Sequence, residues 1–255
     1  MLIGVQSFDA GVVRSGFASY PLTAVGFAAV TGLTPTSYYP CRDASGSLVD
    51  VANANNLAAV STPLYLRINR GRIGIDADSA GDGFAAAVNP IGVNSAIIGA
   101  VVVFKGTAAA AVNPFVIGLT SDTTFPSFLI YRADDSTNYV NLLLRDTAAG
   151  SILLSSIGND IVSQGRPYLV LAQLDKNANL GRLVVADNRK ILYNATGDAT
   201  GFITLTGGSN PKFNVSGGGS AASSASINMA FFATGVQCQG STKLVDIAAR
   251  LGWGH

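Results

Sequence analysis

Between residues 96 and 237 the chain is a succession of short apolar runs, and this limits the fold more than any other feature. "AIIGAVVVFKG" (96–106), "PFVIGLTS" (114–121), "SFLIYRA" (127–133), "YVNLLLRD" (139–146) and "GSILLSSIG" (150–158) come first. "PYLVLAQLD" (167–175), "GRLVVAD" (181–187), "KILYNA" (190–195), "GFITLTG" (201–207) and "ASINMAFFATGVQ" (225–237) follow. Each is rich in β-branched, aromatic or leucine residues and is bounded by Gly, Asn, Asp or Ser, as half-buried or buried strands are. "ADDSTN" (133–138) and "DKNANLG" (175–181) carry the chemistry of turns. No long helical pattern separates these runs, so the fold expected is all-β, an antiparallel sandwich or barrel. One helix is expected, at about 241–251 within "STKLVDIAARLGW". There Leu244, Ile247, Ala248 and Leu251 fall on one helical face, with Ser241 placed to cap the start and Gly252 to stop the end. It should lie over the edge or end of the sandwich.

Composition narrows the partners. Of the 255 residues 48% are hydrophobic and only 12% are charged, about half the usual share of charge. Mean hydropathy is +0.37, yet no apolar run approaches the ~18 residues of a membrane-spanning helix. A surface with so little charge is either buried in an assembly or simply alanine-rich. The net charge is +1, and the basic residues are scattered except for Arg67, Arg70 and Arg72. Without a basic stripe, nucleic acid is not an expected partner. The first residues do not read as a secretory signal, because Gln6, Asp9 and Arg14 interrupt them. Two cysteines, Cys41 and Cys238, are too few for a disulfide framework.

Two absences weigh on the chemistry. All 15 acidic residues are aspartate, and the one histidine is His255. Ser-His-Asp and Cys-His catalysis, histidine metal sites and any mechanism requiring glutamate are thereby excluded. An aspartate pair can in principle hydrolyse a glycoside, but the one adjacent pair, Asp134-Asp135, reads as a solvated turn. No cofactor is expected; "SGGGSAASS" lacks the lysine of a phosphate loop.

The remaining candidates are few. "IDADSAGDGF" (75–84) groups Asp76, Asp78 and Asp82 with two glycines, a calcium-like composition. Counted from Asp76, however, Ala80 and Ala87 occupy the fifth and twelfth positions, where an EF-hand needs oxygen ligands. A turn is the expected reading, with Asp76, Asp78 and Asp82 as the metal candidate beside it. "CRDASGSLVDVANANNL" (41–57) offers Asp43, Asp50 and Asn55 to a ligand at the rim, or else caps its own backbone as an Asx-rich turn. Trp253 and the pair Tyr38-Tyr39 are either stacking platforms for sugar rings or core anchors. Arg67, Arg70 and Arg72 in "RINRGR" suit an inter-subunit contact with carboxylates, or a charged edge that resists aggregation. Residues 1–36, Gly- and Ala-rich with no clean period, form an N-terminal arm or an extra edge segment. "VSGGGSAASSAS" (215–226) is a Gly/Ser loop.

Three stretches resemble the concanavalin A-like (laminin G-like) jelly-roll family, in the divergent form found in bacteriophage virion proteins. "YYPCRDASGSLVDVANANNL" (38–57) resembles the opening of such domains, through Asp43, Ser45, Gly46, Asp50, Asn53, Asn55 and Asn56. "GRIGIDADSAGDGFAAAVNP" (71–90) resembles the strand that ends in an Asp/Gly turn before the next enters the sandwich. "INMAFFATGVQCQGSTKLVDIAARL" (227–251) resembles the closing strand and helix. The resemblance implies one jelly-roll sandwich over 37–255, with residues 1–36 outside it. It further implies a non-enzymatic structural protein of a phage particle (tail, fibre or capsid surface), located in the virion. Partners would be further copies of itself and other virion proteins, with no membrane. The alternative it allows is a carbohydrate-binding or host-receptor adhesion module, whose partner is a host surface glycan. Hydrolases on this fold use paired glutamates, which this chain lacks. In such a fold Cys41 and Cys238 would sit in neighbouring terminal strands, both reduced.

Overall fold

The computed structural model describes residues 7–8, 12–15, 18–21, 23–41, 47–60, 64–68, 72–76, 83–86, 95–104, 115–120, 127–132, 139–145, 151–155, 162–163, 165–200, 212–215, 225–240 and 243–254. The chain is an antiparallel β-sandwich with a C-terminal helix. Its N-terminal part comprises the strands β1 (Ser7–Phe8), β2 (Val12–Ser15) and β3 (Ala18–Pro21), helix α1 (Ala24–Thr31), and strands β4 (Ser37–Tyr39), β5 (Ala58–Val60), β6 (Leu64–Ile68), β7 (Arg72–Asp76) and β8 (Gly83–Ala86). Then come β9 (Ser95–Phe104), β10 (Phe115–Thr120), β11 (Ser127–Arg132), β12 (Val140–Arg145), β13 (Ser151–Ser155), β14 (Pro167–Asp175), β15 (Leu180–Ala186) and β16 (Ile191–Asp198). β17 (Lys212–Val215), β18 (Ala225–Thr234), a 3-10 turn (Val236–Cys238) and α2 (Lys243–Arg250) complete it.

One sheet runs β13-β12-β11-β10-β17-β8-β5 and the other β16-β15-β14-β9-β18-β7-β6. β1, β2 and β3 form a small meander of their own. β18 is paired along one whole side with β9; its other side takes β7 at Ser226 and Ile227, then β4 from Ala230 to Phe232. Nine of the ten runs marked by the sequence correspond to β9–β16 and β18; "GFITLTG" (201–207) lies outside the described residues.

Two apolar layers follow from the alternation of side chains along each strand. Between the sheets lie Ile98, Val102, Phe104, Leu142, Leu144, Val170, Leu183 and Phe232, among others. The opposite face of β9, β14, β15 and β18 is just as apolar, with Ile97, Val101, Leu169, Leu171, Val184 and Phe231. An apolar face of this size has to be covered, and α1, α2 and Trp253 cover it. This corrects the expected placing of the C-terminal helix. α2 sits on the outer face of the second sheet, over β14 and β15, because those strands present buried side chains on both sides.

Leu244, Ile247, Ala248 and Leu251 are the buried face of α2, as their spacing predicts. Gly252 ends it with φ of 84°, and the Trp253 amide donates back to the Ala248 carbonyl at 2.9 Å. α1, "AVGFAAVT", carries no such period because it is apolar all round. It is set by its ends instead. Thr23 Oγ1 accepts from the Gly26 amide at 3.1 Å, and Gly32, at φ of 71°, donates its amide to the Ala28 carbonyl at 2.8 Å. Its Phe27 ring stands 4.7 Å from both the Tyr38 and Phe231 rings.

Candidate functional surface

The turn after β4 is built on one carboxylate. Asp50, nearly buried, accepts the Tyr38 and Ala52 amides on Oδ1, both at 2.8 Å, and the Asn55 and Asn53 amides on Oδ2 at 3.0 and 3.3 Å. Its own amide donates to Asn56 Oδ1 at 3.0 Å. Asn53 Nδ2 reaches the Thr36 carbonyl, Asn55 Nδ2 the Ser37 hydroxyl, and the Tyr39 hydroxyl the Asn55 carbonyl. Asp50 and Asn55 thus share one turn, and its polar groups serve the backbone. Asp43 lies outside the described residues, as do Asp78, Asp82 and Arg70. Asp76 is the last residue of β7, level with Leu64 and Ser226. Arg67 and Arg72 belong to the β6–β7 hairpin at the edge of its sheet, Arg72 level with Ile68. Tyr38, Tyr39 and Trp253 are buried, so these rings are core anchors; burial also raises the Tyr39 phenol far above its usual range.

A second carboxylate does the same work at the far end of β14. Asp175 accepts from Ser95 Oγ and the Asn177 and Ala178 amides on Oδ1, and from the Gly240 amide on Oδ2 at 3.0 Å. Beside it Gln173 Nε2 donates to the Cys238 carbonyl and, at 3.0 Å, to the Gly240 carbonyl, and so ties the 3-10 turn to the sheet. On the same outer face Arg182 donates from Nε to Asn194 Oδ1 at 2.9 Å; burial lowers its guanidinium pKa, and the Asp246 carboxylate on α2 acts against that. Among the described residues no cluster of metal-ligating side chains exists.

The cysteines do not adjoin one another. Cys41, just beyond β4, packs between the sheets, whereas Cys238 lies in the outer layer beneath the helices. Their terminal strands β4 and β18 do pair, but antiparallel, with Tyr39 level with Ala230, so Cys41 leaves toward the start of β18 whereas Cys238 lies beyond its end, in the 3-10 turn. Neither is in a disulfide. Burial pushes the Cys238 thiol up to about 12, against a smaller opposing effect of the Lys243 ammonium. Since the thiolate is the reacting species, the native protein should resist Ellman's reagent at pH 8, and two thiols should react on unfolding. Stoichiometric labelling of the native protein would contradict this placement.

The first sheet offers a different surface on its outer side. Val140, Leu142 and Leu144 of β12 face the core, so Asn141 and Leu143 alternate to the other side. Leu143 is half-buried there, and its cross-strand partners are Leu129 and Leu153. Asn141, level with Tyr131 and Ser155, is only 4% exposed, and its Oδ1 has no hydrogen-bond partner. A buried acceptor left unmatched costs about 1–3 kcal/mol. Its signal in the sequence is one polar residue inside the apolar run "YVNLLLRD", which marks a strand but not which face meets the core.

No protein-family model matches the chain, and no curated protein does. Its fold is similar to the binding domain of botulinum neurotoxin serotype D, with a TM-score of 0.58 at 9% identity over 83% of this chain and 51% of that one. The binding domain of botulinum neurotoxin DC in complex with SialylT gives 0.57 at 10% identity, over 84% and 50%. Trypanosoma rangeli sialidase in complex with sialic acid gives 0.53 at 11%, over 84% and 32%. The chain spans about half the length of the neurotoxin domains it matches. At these identities the shared property is the fold, a β-rich antiparallel sandwich.

Proposed function

We propose that this chain is a non-enzymatic structural module of a bacteriophage particle, a tail, fibre or capsid-surface component of concanavalin A-like (laminin G-like) jelly-roll type. In this reading residues 37–255 are the module and 1–36 its arm, and the partners are further copies and other virion proteins. The observation that carries the non-enzymatic part is the use made of the buried carboxylates. Asp50 and Asp175 accept three or more hydrogen bonds each, mostly from backbone amides, which commits them to holding turns. With no glutamate in the chain, this argues against a paired-carboxylate hydrolase. The virion setting draws its support from the sequence resemblance, which the sandwich fold accommodates.

A second reading, adhesion to a host glycan or receptor, is favoured by the ligands that structures of similar fold hold, SialylT in the neurotoxin DC binding domain and sialic acid in the sialidase. The two readings are compatible in a phage adhesin. A glycan array probed with the purified chain, with light scattering beside it and mass spectrometry of any bound glycan, tests both. Assembly without retention on the array supports the structural role alone. Retention on the array supports adhesion. Turnover of a bound glycan overturns the non-enzymatic reading, and a monomer that binds nothing overturns the rest.

A further inference from the structure

The second sheet ends on β16, and among the described residues no strand pairs with its free side. This edge is eight residues long, "ILYNATGD", and contains no proline and no lysine. Natural edges of this length are usually blocked by such residues, by strong bulges or by a covering segment. β16 has one bulge near its start, where Val185 pairs with Tyr193 and Ala186 with Ile191, and is regular from Tyr193 to Asp198. Asn194, Thr196 and Asp198 are exposed on one side, while Tyr193, Ala195 and Gly197 are half-buried on the other.

Charge is placed at the ends of this edge with opposite signs. Arg189 and Lys190 are exposed just before β16, in a tight turn where the Asp187 carboxylate accepts the amides of both. Asp198, also exposed, ends the strand, its carboxylate steadied by the Thr200 amide and hydroxyl. Asp187 offsets one of the two cations, which leaves the start of the edge net positive and its end negative. A strand with cations at its start and an anion at its end complements itself in one arrangement, antiparallel about a two-fold axis.

We propose that β16 pairs with β16 of a second copy, antiparallel and centred on Asn194, joining the second sheets of two subunits into one. This centring keeps both cores on the same side of the joined sheet, because facing residues then share a face. It sets Asn194 opposite Asn194, Tyr193 opposite Ala195, and the Arg189–Lys190 end of each strand near Asp198 of the other, beyond the bulge at Leu192. The free backbone groups of both edges are satisfied at once. The inference deepens the self-association in the proposed function and is independent of phage or glycan.

Cysteine cross-linking tests the register. Directly facing residues in an antiparallel pair have Cα atoms about 4.5–5.5 Å apart, within reach of a disulfide. Asn194→Cys should therefore form covalent dimers on mild oxidation. Thr196→Cys, some four residues from its own copy, should not. Lys190→Asp should shift the dimer of the unmodified protein toward monomer in light scattering at low salt, and Lys190→Asp with Asp198→Lys should restore it. A protein that is dimeric while Asn194→Cys cross-links no better than Thr196→Cys would overturn the β16 contact and leave self-association standing. A protein that stays monomeric at roughly 100 micromolar would overturn both.

Discussion

Asp50→Ala is expected to lower the stability of the fold by about 4 kcal/mol, read as a fall in the urea midpoint at unchanged slope. The carboxylate is 5% exposed and receives the amides of Tyr38, Ala52, Asn53 and Asn55. Removing it leaves these donors without their acceptor in a site that water reaches poorly. Each hydrogen bond to a charged group contributes roughly 1.5–3 kcal/mol, and the sum is not additive because the turn relaxes as a unit. The damage should spread, since the Tyr38 amide belongs to β4 and the Tyr38 ring packs on Phe27. Asp50→Asn should fall between: one oxygen still accepts, but the new NH2 faces amides that also donate. Asp187→Ala is the control. Asp187 caps two amides at 2.7 and 2.8 Å, but both belong to exposed residues that water can serve in its place, so its loss should cost about 1 kcal/mol or less. Equal costs for the two variants would mean that burial does not set the energetics of the turn.

The C-terminal two-thirds of the fold is legible in the sequence because its strands are long and nearly continuous in apolar residues. β9 and β14 are buried on both faces, and hydrophobic runs such as "AIIGAVVVF" have no other economical place. α2 is legible because its four buried residues keep helical spacing. α1 is not, since a helix apolar all round has no amphipathic period; only Thr23 and Gly32 mark its ends. The strands β4 to β8 are three to five residues long, too short for periodicity to separate them from apolar loops. Asp50 shows the other limit. Its spacing from Asn53, Asn55 and Asn56 suggests a polar constellation, and sequence leaves open whether it faces a ligand or its own backbone. Burial and the four amides converging on it settle where its oxygens are spent, and neither is readable from spacing. Asn141 was visible as an interruption in β12, but its meaning required knowing which face of the strand met the core.

At Gly99 the expected result is a loss of stability on adding one methyl group, about 2–3 kcal/mol for Gly99→Ala, and failure to fold at 37 °C for Gly99→Val. The sign is the informative part. Glycine inside a strand ordinarily destabilises through its backbone freedom, by about 0.5–1 kcal/mol relative to alanine, so the default expectation for this substitution is a gain. Gly99 reverses it through contact. It lies mid-way along β9, with Leu171 and Phe231 as its partners on the two neighbouring strands. A Cβ there would meet Phe231 Cε1 at 2.4 Å and Leu171 Cδ2 at 2.5 Å. The phenyl ring cannot retreat freely, because Phe27 lies 4.7 Å from it and is held as closely by Tyr38, the cross-strand neighbour of Phe231 on β4. The glycine thus underlies a cluster of three rings that docks α1 on the sheet. Gly99→Ala should release that helix first, which native-state hydrogen exchange would record as lost protection of the Phe27 and Gly32 amides before any change in β14. Combining Gly99→Ala with Phe231→Leu should cost less than the sum of the two alone, since the smaller side chain vacates the space the methyl needs. Additive costs, or a Gly99→Ala protein more stable than the parent, would show that the ring cluster does not rest on this residue.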